Sequence, residues 1–198
     1  MIVSSMSNNE ILREILKDLR EIKEHFGKHY KTCFKRQVLQ AAKFPFIPSP
    51  LHFTSSRRNK YLIYIEARKR GDWQTDRFHY ICYAGNKAYM FNKRDNVFTV
   101  FIPHFFSRYR ERYIKNDRIT TKQVIERFFK HNLSLTCRVK EHNNSFMGTC
   151  EEGIVFGDYE NDIAIIKTFI SREMQFEKQK NLCNSIDRFR QNLWEQLA

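Results

Sequence analysis

A chain of 198 residues that is 41% hydrophobic, with 18 Phe and 9 Tyr, has the material for one sizeable core, which excludes a disordered polyampholyte. Its 35 Lys and Arg against 22 Asp and Glu leave a net charge of +13, which directs attention to phosphate-bearing partners. No apolar run approaches the ~20 residues needed to cross a bilayer, so a membrane-spanning helix is excluded.

Residues 8–42 read as helix. Ser7 or Asn8 can cap it, with Glu10 in the first turn, where the helix dipole favours an anion. Ile11, Leu12, Ile15, Leu16, Leu19, Ile22 and Phe26 recur at spacings of three and four, forming one apolar stripe. The stripe covers too few heptads for a coiled coil. It is expected to pack on a sheet or on a partner helix, which includes self-association through this helix. Gly27 is expected to end or kink the helix before a second stretch, Tyr30 to Lys43. Pro45, Pro48 and Pro50 then fix φ and exclude helix, predicting an extended connector. This divides the chain into an N-terminal helical region, 1–44, and an α+β domain, 45–198.

Strands follow over 60–102. Lys60–Arg68 is β-branched and aromatic, and Arg70-Gly-Asp72 reads as a turn. Phe78–Tyr83 and Lys87–Phe91 flank Ala84-Gly-Asn86, a hairpin signal. Asn96–Ile102 is a further strand, preceded by the turn Lys93–Asn96. Pro103 stops it and opens a helix to about Ile114, followed by a second helix, Thr120–His131. Leu133–Val139, Ser145–Cys150 with Gly153–Phe156, and Asp162–Ile170 are strands, separated by turns at 151–153 and 157–162. Ser171 is expected to cap a last helix reaching about Leu197, with Phe176, Leu182, Ile186, Phe189, Leu193 and Trp194 on its apolar side. The expected class is α+β, an antiparallel sheet packed with helices.

The helix after Pro103 carries the most chemistry. His104, Arg108 and Arg112 lie four residues apart and share one face, with Glu111 beside them. Phe105, Phe106, Tyr109 and Tyr113 occupy the adjoining face, and Arg110 points elsewhere. Arginine forks bind phosphate oxygens and stay charged. An imidazole beside them can move a proton near neutral pH. Arg108 and Arg112 would hold a scissile phosphate, His104 would act as acid or base, and Glu111 would orient them. The same spacing also suits a solvated, salt-bridged helix face.

The order His104-x-x-x-Arg108-Tyr-x-Glu111-Arg112, the helix Ile119–Ile125 and the late strand Ile165-Ile-Lys-Thr168 together resemble a family pattern. It is that of the barnase–EndoU–colicin–RelE-like group, small proteins of mobile elements and toxin–antitoxin loci. The resemblance covers about residues 100–172. It implies a sheet with helices on one side, metal-independent RNA cleavage, a role for Thr168 and, in a toxin, an antitoxin partner. The late strands depart from the pattern in being nearly neutral, with Arg138, Lys140 and Lys167 their only cations.

Residues 1–60 hold 12 Lys and Arg against 5 Asp and Glu, residues 61–130 hold 15 against 7, and residues 131–198 hold 8 against 10. Nucleic-acid contact is therefore expected in the first two thirds, at Arg57, Arg58, Lys60, Arg68, Lys69, Arg70 and Arg110. Tyr61, Tyr64, Tyr80 and Tyr83 are the aromatics that could stack bases. His25, His29 and Cys33 have helical spacing but no fourth ligand, so neither a metal nor another cofactor is expected. The five cysteines form no Cys-x-x-Cys pair, and Met1-Ile-Val-Ser-Ser lacks signal-peptide character. Both features fit a cytoplasmic protein with reduced thiols. The expected function is a toxin-type endoribonuclease. The alternative is a non-catalytic nucleic-acid-binding or protein-interaction domain of a mobile element.

Overall fold

The computed structural model describes residues 1–72, 77–93, 95–133, 135–139 and 144–196. The expectations for Arg94, Lys140 and Leu197, and for the side chains of His29, Arg138, Leu193 and Trp194, lie outside the described residues. The fold is α+β with a mostly antiparallel sheet arrangement, and the chain divides into two compact units, Met1–Phe98 and Thr99–Ala198. In the described residues no helix is long and apolar enough to cross a membrane.

The first unit opens with one long helix, α1 (Asn8–Gln40). Ser7 caps it through a reciprocal capping box with Glu10. The helix continues through Gly27, where a break was expected. Its apolar stripe packs on one sheet along its length, with Ile11, Ile15 and Ile22 buried in the first half and Phe34 and Val38 in the second. That burial outweighs the roughly 1 kcal/mol that a helical glycine costs. The stripe is thus used inside its own unit.

Strands β1 (Leu51–Thr54), β2 (Lys60–Ile65), β3 (Phe78–Ala84) and β4 (Lys87–Asn92) form an antiparallel meander in that order. The proline-rich connector is therefore followed by a strand that was not expected. Pro50 immediately precedes β1, a position where a missing N–H costs the ladder nothing. At one end of β2, Phe34 and Val38 of α1 cluster with Ile65 and Ala67, joined by Phe44, Phe46 and Phe78.

Strand β5 (Val97–Phe101) enters the second unit at Thr99, and its residues Thr99–Phe101 run parallel to β9 (Ile163–Ser171). Strands β8 (Gly153–Glu160), β7 (Ser145–Thr149) and β6 (Thr136–Val139) continue antiparallel from β9. β8 is longer than expected and turns only at Asn161-Asp162, both at positive φ. At Gly157 the ladder shifts register; a Cβ there would strike the Ile165 carbonyl and the Phe146 ring.

Helices α2 (Pro103–Tyr109) and α3 (Thr121–His131) cover this sheet with aromatic side chains. Phe101, Phe105, Phe106, Tyr109, Phe128, Phe129 and Phe169 are all buried and meet mostly edge to face, at centroid distances such as 4.9 Å for Phe105–Phe128 and 5.0 Å for Tyr109–Phe169. Helix α4 (Glu177–Gln196) packs Cys183 and Ile186 against Met147 and Ile154. Ser171 does not cap it: a 3₁₀ turn, Arg172–Met174, intervenes, and Ser171 makes no side-chain capping bond.

Candidate nucleic-acid interface

The α2 helix is shorter than its sequence period implied. From Arg110 to Ile114 the chain winds as a π turn, closed by the Lys115 N–H donating to the Arg110 carbonyl at 2.8 Å. Lys115 ends it in the left-handed conformation, with φ 53°. Such a turn holds more residues than an α turn, so the phase of Arg112 and Tyr113 departs from the face set by His104 and Arg108. Tyr113 still stacks on Tyr109, ring centroids 5.7 Å apart, but is 36% exposed.

His104, Arg108 and Glu111 are brought together at the surface. The Arg108 Nε donates to His104 Nε2 at 3.3 Å, and its Nη1 donates to Glu111 Oε2 at 2.7 Å. His104 and Glu111 are exposed and Arg108 partly so. The guanidinium is thereby spread along the helix between a base and an acid.

Arg112 is not part of that cluster. Its Nη1 donates to the Phe169 carbonyl at 2.6 Å, docking the π turn on β9. Thr168 is not brought to the cluster either. The Phe169 ring packs on Phe105, Tyr109 and Tyr113, whereas Ile170 belongs to the cluster under α4. Strand side chains alternate, so Thr168 shares the α4 face with Ile170. Arg110 reaches Thr121 Oγ1 at 3.3 Å and ties α2 to α3.

Beneath the π turn lies a network that sequence reasoning missed. Glu152, in the β7–β8 turn, accepts both terminal nitrogens of Arg127 at 2.9 and 3.0 Å, the Asn132 amide at 2.8 Å and the Tyr109 hydroxyl. Arg127 also donates to the Tyr109 hydroxyl. Its guanidinium lies 5.3 Å from the Tyr113 ring centre and 5.6 Å from that of Tyr109. Burial would raise the Glu152 carboxyl, but the bonds from Arg127, Tyr109 and Asn132 outweigh it and hold it below its ordinary value. Burial, followed by the bond to Glu152, keeps the Tyr109 phenol protonated well above its usual range. The one signal in the sequence was a pair of acids, Glu151-Glu152, in a tight turn between apolar strands.

A pocket of about 230 Å³ opens beside this network, lined by Arg112, Tyr113, Lys115, Glu151, Glu152, Ser171, Arg172 and Glu173. Its charge is mixed. Arg172 is engaged by Asp187 at 2.7 Å and by the Cys150 carbonyl at 2.9 Å. Cys150 itself is fully buried and its thiol is pushed up to about 12 by burial, so it is no nucleophile at neutral pH.

The expected contacts in the first unit separate into two groups. Arg57 donates to Asp18 Oδ1 at 2.8 Å, inside a set that also sends the Asn59 amide and the Tyr61 hydroxyl to Asp18 Oδ2 at 2.7 and 2.8 Å. Asp18 is completely buried within the α1 stripe. Burial would raise its carboxyl, yet the donors hold it lowered. Arg58 and Lys60 are exposed beside this set, Arg58 at φ 62°. Arg68 lies 3.6 Å from buried Glu66, while Lys69 and Arg70 are exposed at the far end of β2.

Tyr61, Tyr64 and Tyr80 are buried and closed to base stacking; only Tyr83 is partly open. His25 packs its ring on Phe26 and Phe53, centroids 4.9 and 5.1 Å away. Among the described residues no group of three or more His, Cys, Asp or Glu is placed to hold a metal ion.

No family model, curated protein or solved structure matches this chain.

Proposed function

We propose that this protein binds RNA by its phosphodiester backbone, with the outer surface of α2 and its π turn as a contact in the second unit. The observation that carries this reading is Arg108, held extended on an exposed surface by His104 and Glu111. A preoriented guanidinium loses little freedom when it takes a phosphate. Residues 103–131 carry eight Lys and Arg against three Asp and Glu, so the field around it is positive.

Cleavage of the bound strand, the toxin-type endoribonuclease of the family resembled, is the second reading. It is favoured by the contact of His104 Nε2 with Arg108. A phosphate drawing Arg108 away would free Nε2 to take the proton of a ribose 2′-hydroxyl. The 2′-oxygen would attack phosphorus, the bond to the 5′-oxygen would break, and that oxygen would leave with a proton from water. An antitoxin would then cover this face. The free thiols of Cys33, Cys82, Cys150 and Cys183 suit a cytoplasmic setting.

The test uses a fluorescein-labelled 20-nucleotide RNA with chelator present. Arg108→Gln is expected to weaken binding about tenfold at low salt. Unchanged affinity overturns the binding reading. Strand scission by the wild type that is lost in His104→Ala supports the second reading, and equal, negligible scission by both removes it.

A further inference from the structure

The pocket of about 230 Å³ beside the Glu152 network is lined by three different chemistries. The π turn supplies Arg112, Tyr113 and Lys115, an aromatic ring flanked in sequence by two cations. The β7–β8 turn supplies Glu151 and Glu152, and the 3₁₀ turn after β9 supplies Glu173.

The π turn is what puts its residues there. It carries Arg112 to β9, where the Phe169 carbonyl accepts Nη1 at 2.6 Å and fixes the guanidinium at the pocket edge. Tyr113 is held by its neighbours. Its ring stacks on Tyr109 at 5.7 Å, meets Phe169 edge to face at 6.1 Å and lies 5.3 Å from the Arg127 guanidinium. It nevertheless remains 36% exposed in the pocket lining. A ring fixed in this way and open to solvent is a stacking platform rather than a core residue. Lys115 is exposed at the end of the turn. Arg172 differs from these cations, because Asp187 and the Cys150 carbonyl already take its guanidinium.

The carboxylates also divide. Glu152 is 10% exposed and held by Arg127, Asn132 and Tyr109, whereas Glu151 and Glu173 are exposed. An ionised carboxylate only accepts hydrogen bonds, so this part of the lining asks for N–H donors.

Each feature restricts the ligand. The volume lies below the roughly 300 Å³ at which drug-sized ligands begin, so it suits one small ring system. The Tyr113 ring asks for a planar partner, the cations beside it for a phosphate, and the carboxylates for amine hydrogens. Adenine, cytosine and guanine carry an exocyclic amine. Uracil sets two carbonyls beside its single ring N–H, and those carbonyls would face carboxylates without a proton to share.

We infer that this pocket takes one unpaired nucleotide with an amine-bearing base, its ring on Tyr113, its phosphate at Arg112 and Lys115, and its amine on the carboxylate of Glu151 or Glu173. The α2 surface takes backbone phosphates only, so this site adds the reading of a base. It does not rest on the α2 reading, because a free nucleotide would serve as well as one in a strand.

Chemical-shift titrations of the full chain with AMP, CMP, GMP, UMP and adenosine test it. AMP, CMP and GMP are expected to saturate, UMP to bind about tenfold more weakly and adenosine more weakly than AMP. Lys115→Asn, chosen because asparagine tolerates the left-handed backbone at φ 53°, is expected to narrow the difference between AMP and adenosine. Tyr113→Leu is expected to weaken every nucleotide about tenfold, and Tyr113→Phe to retain binding. Glu151→Gln/Glu173→Gln is expected to bring UMP within about twofold of CMP. No saturation by about 10 mM AMP overturns the inference. So does UMP binding equal to CMP in the wild type, an unchanged AMP–adenosine difference in Lys115→Asn, or saturation by free lysine or glutamine with none by AMP. Oligo(A) and oligo(U) of equal length distinguish the two sources. A preference for oligo(A) that Tyr113→Leu abolishes assigns the pocket to an RNA strand, and equal binding of both beside intact AMP binding assigns it to a free nucleotide. Arg108→Gln separates the two sites. Weakened RNA affinity there, with no AMP binding by the wild type, removes this inference alone. AMP binding by the wild type, with RNA affinity unchanged in Arg108→Gln, removes the α2 reading alone.

Discussion

Arg127 grips Glu152 with both terminal nitrogens, across 25 residues of sequence, and the pair joins α3 to the β7–β8 turn. The Glu152 side chain is only 10% exposed, so its charge is held by these bonds rather than by water. Glu152→Ala leaves Arg127, Asn132 and Tyr109 with unmatched donors. A fully buried pair broken in this way costs about 3–5 kcal/mol. Arg127 is about one third exposed, so a loss of about 2–3 kcal/mol in urea unfolding is expected. A loss below about 0.5 kcal/mol would show that the network does not fasten the turn.

Asp18 and Arg57 give a contrast between stability and binding. Asp18→Asn is expected to destabilise the first unit by about 3 kcal/mol, since three donors converge on a buried carboxylate. Arg57→Gln is expected to be the milder change and to leave RNA affinity nearly unchanged, because Arg57 is already engaged by Asp18. The Asp18 carboxyl is lowered in the folded protein, so its contribution is complete above the ordinary value of 3.8 and fades as pH falls through the folded value. An RNA-binding defect in Arg57→Gln that exceeds its stability loss would contradict this assignment.

His79 acts in the opposite sense. It is buried in β3, neither ring nitrogen has a hydrogen-bond partner, and burial, reinforced by Arg68, lowers it from 6.5 to about 4. Protonation therefore favours the unfolded chain. Stability is expected to be level above about pH 6.5 and to fall between there and pH 4, by about 3 kcal/mol in total. His79→Leu should flatten that segment of the stability curve while leaving stability at pH 7.5 equal or higher. A wild-type curve without this acid slope, or one unchanged by the substitution, refutes it.

The faces of β9 predict a difference between two residues grouped by the family resemblance. Thr168→Val, on the α4 side, is expected to leave RNA affinity within about twofold. Arg108→Gln, on the exposed side of α2, is expected to weaken it about tenfold. Anisotropy titrations of both variants at one salt concentration decide between a shared and a divided site.

Much of the architecture was legible in local pattern. The apolar stripe of α1, the hairpin around Gly85, and the start of α1 at Ser7 with Glu10 in its first turn are short-range features. Each needs only a period or a turn to express itself, and each appears in the fold. Extending the periodic reading past Tyr109 failed, because the π turn changes the number of residues per turn and carries Arg112 to the Phe169 carbonyl instead of to Arg108. The spacing of His104, Arg108 and Glu111 stayed legible because all three lie within little more than two helical turns.

The sequence by itself determined the α+β class, the excess of positive charge and its location, and which helix carries an imidazole beside arginines. Only the tertiary structure decided which cations are committed to carboxylates. Arg57 and Asp18 are 39 residues apart, Arg127 and Glu152 are 25 apart, and no local pattern links either pair. Their partnership follows from which faces the core brings together. That same packing leaves Arg108 partly exposed on α2, beside His104 and Glu111. A charge count weighs all these residues alike; burial and pairing distinguish those that hold the fold from those left facing solvent.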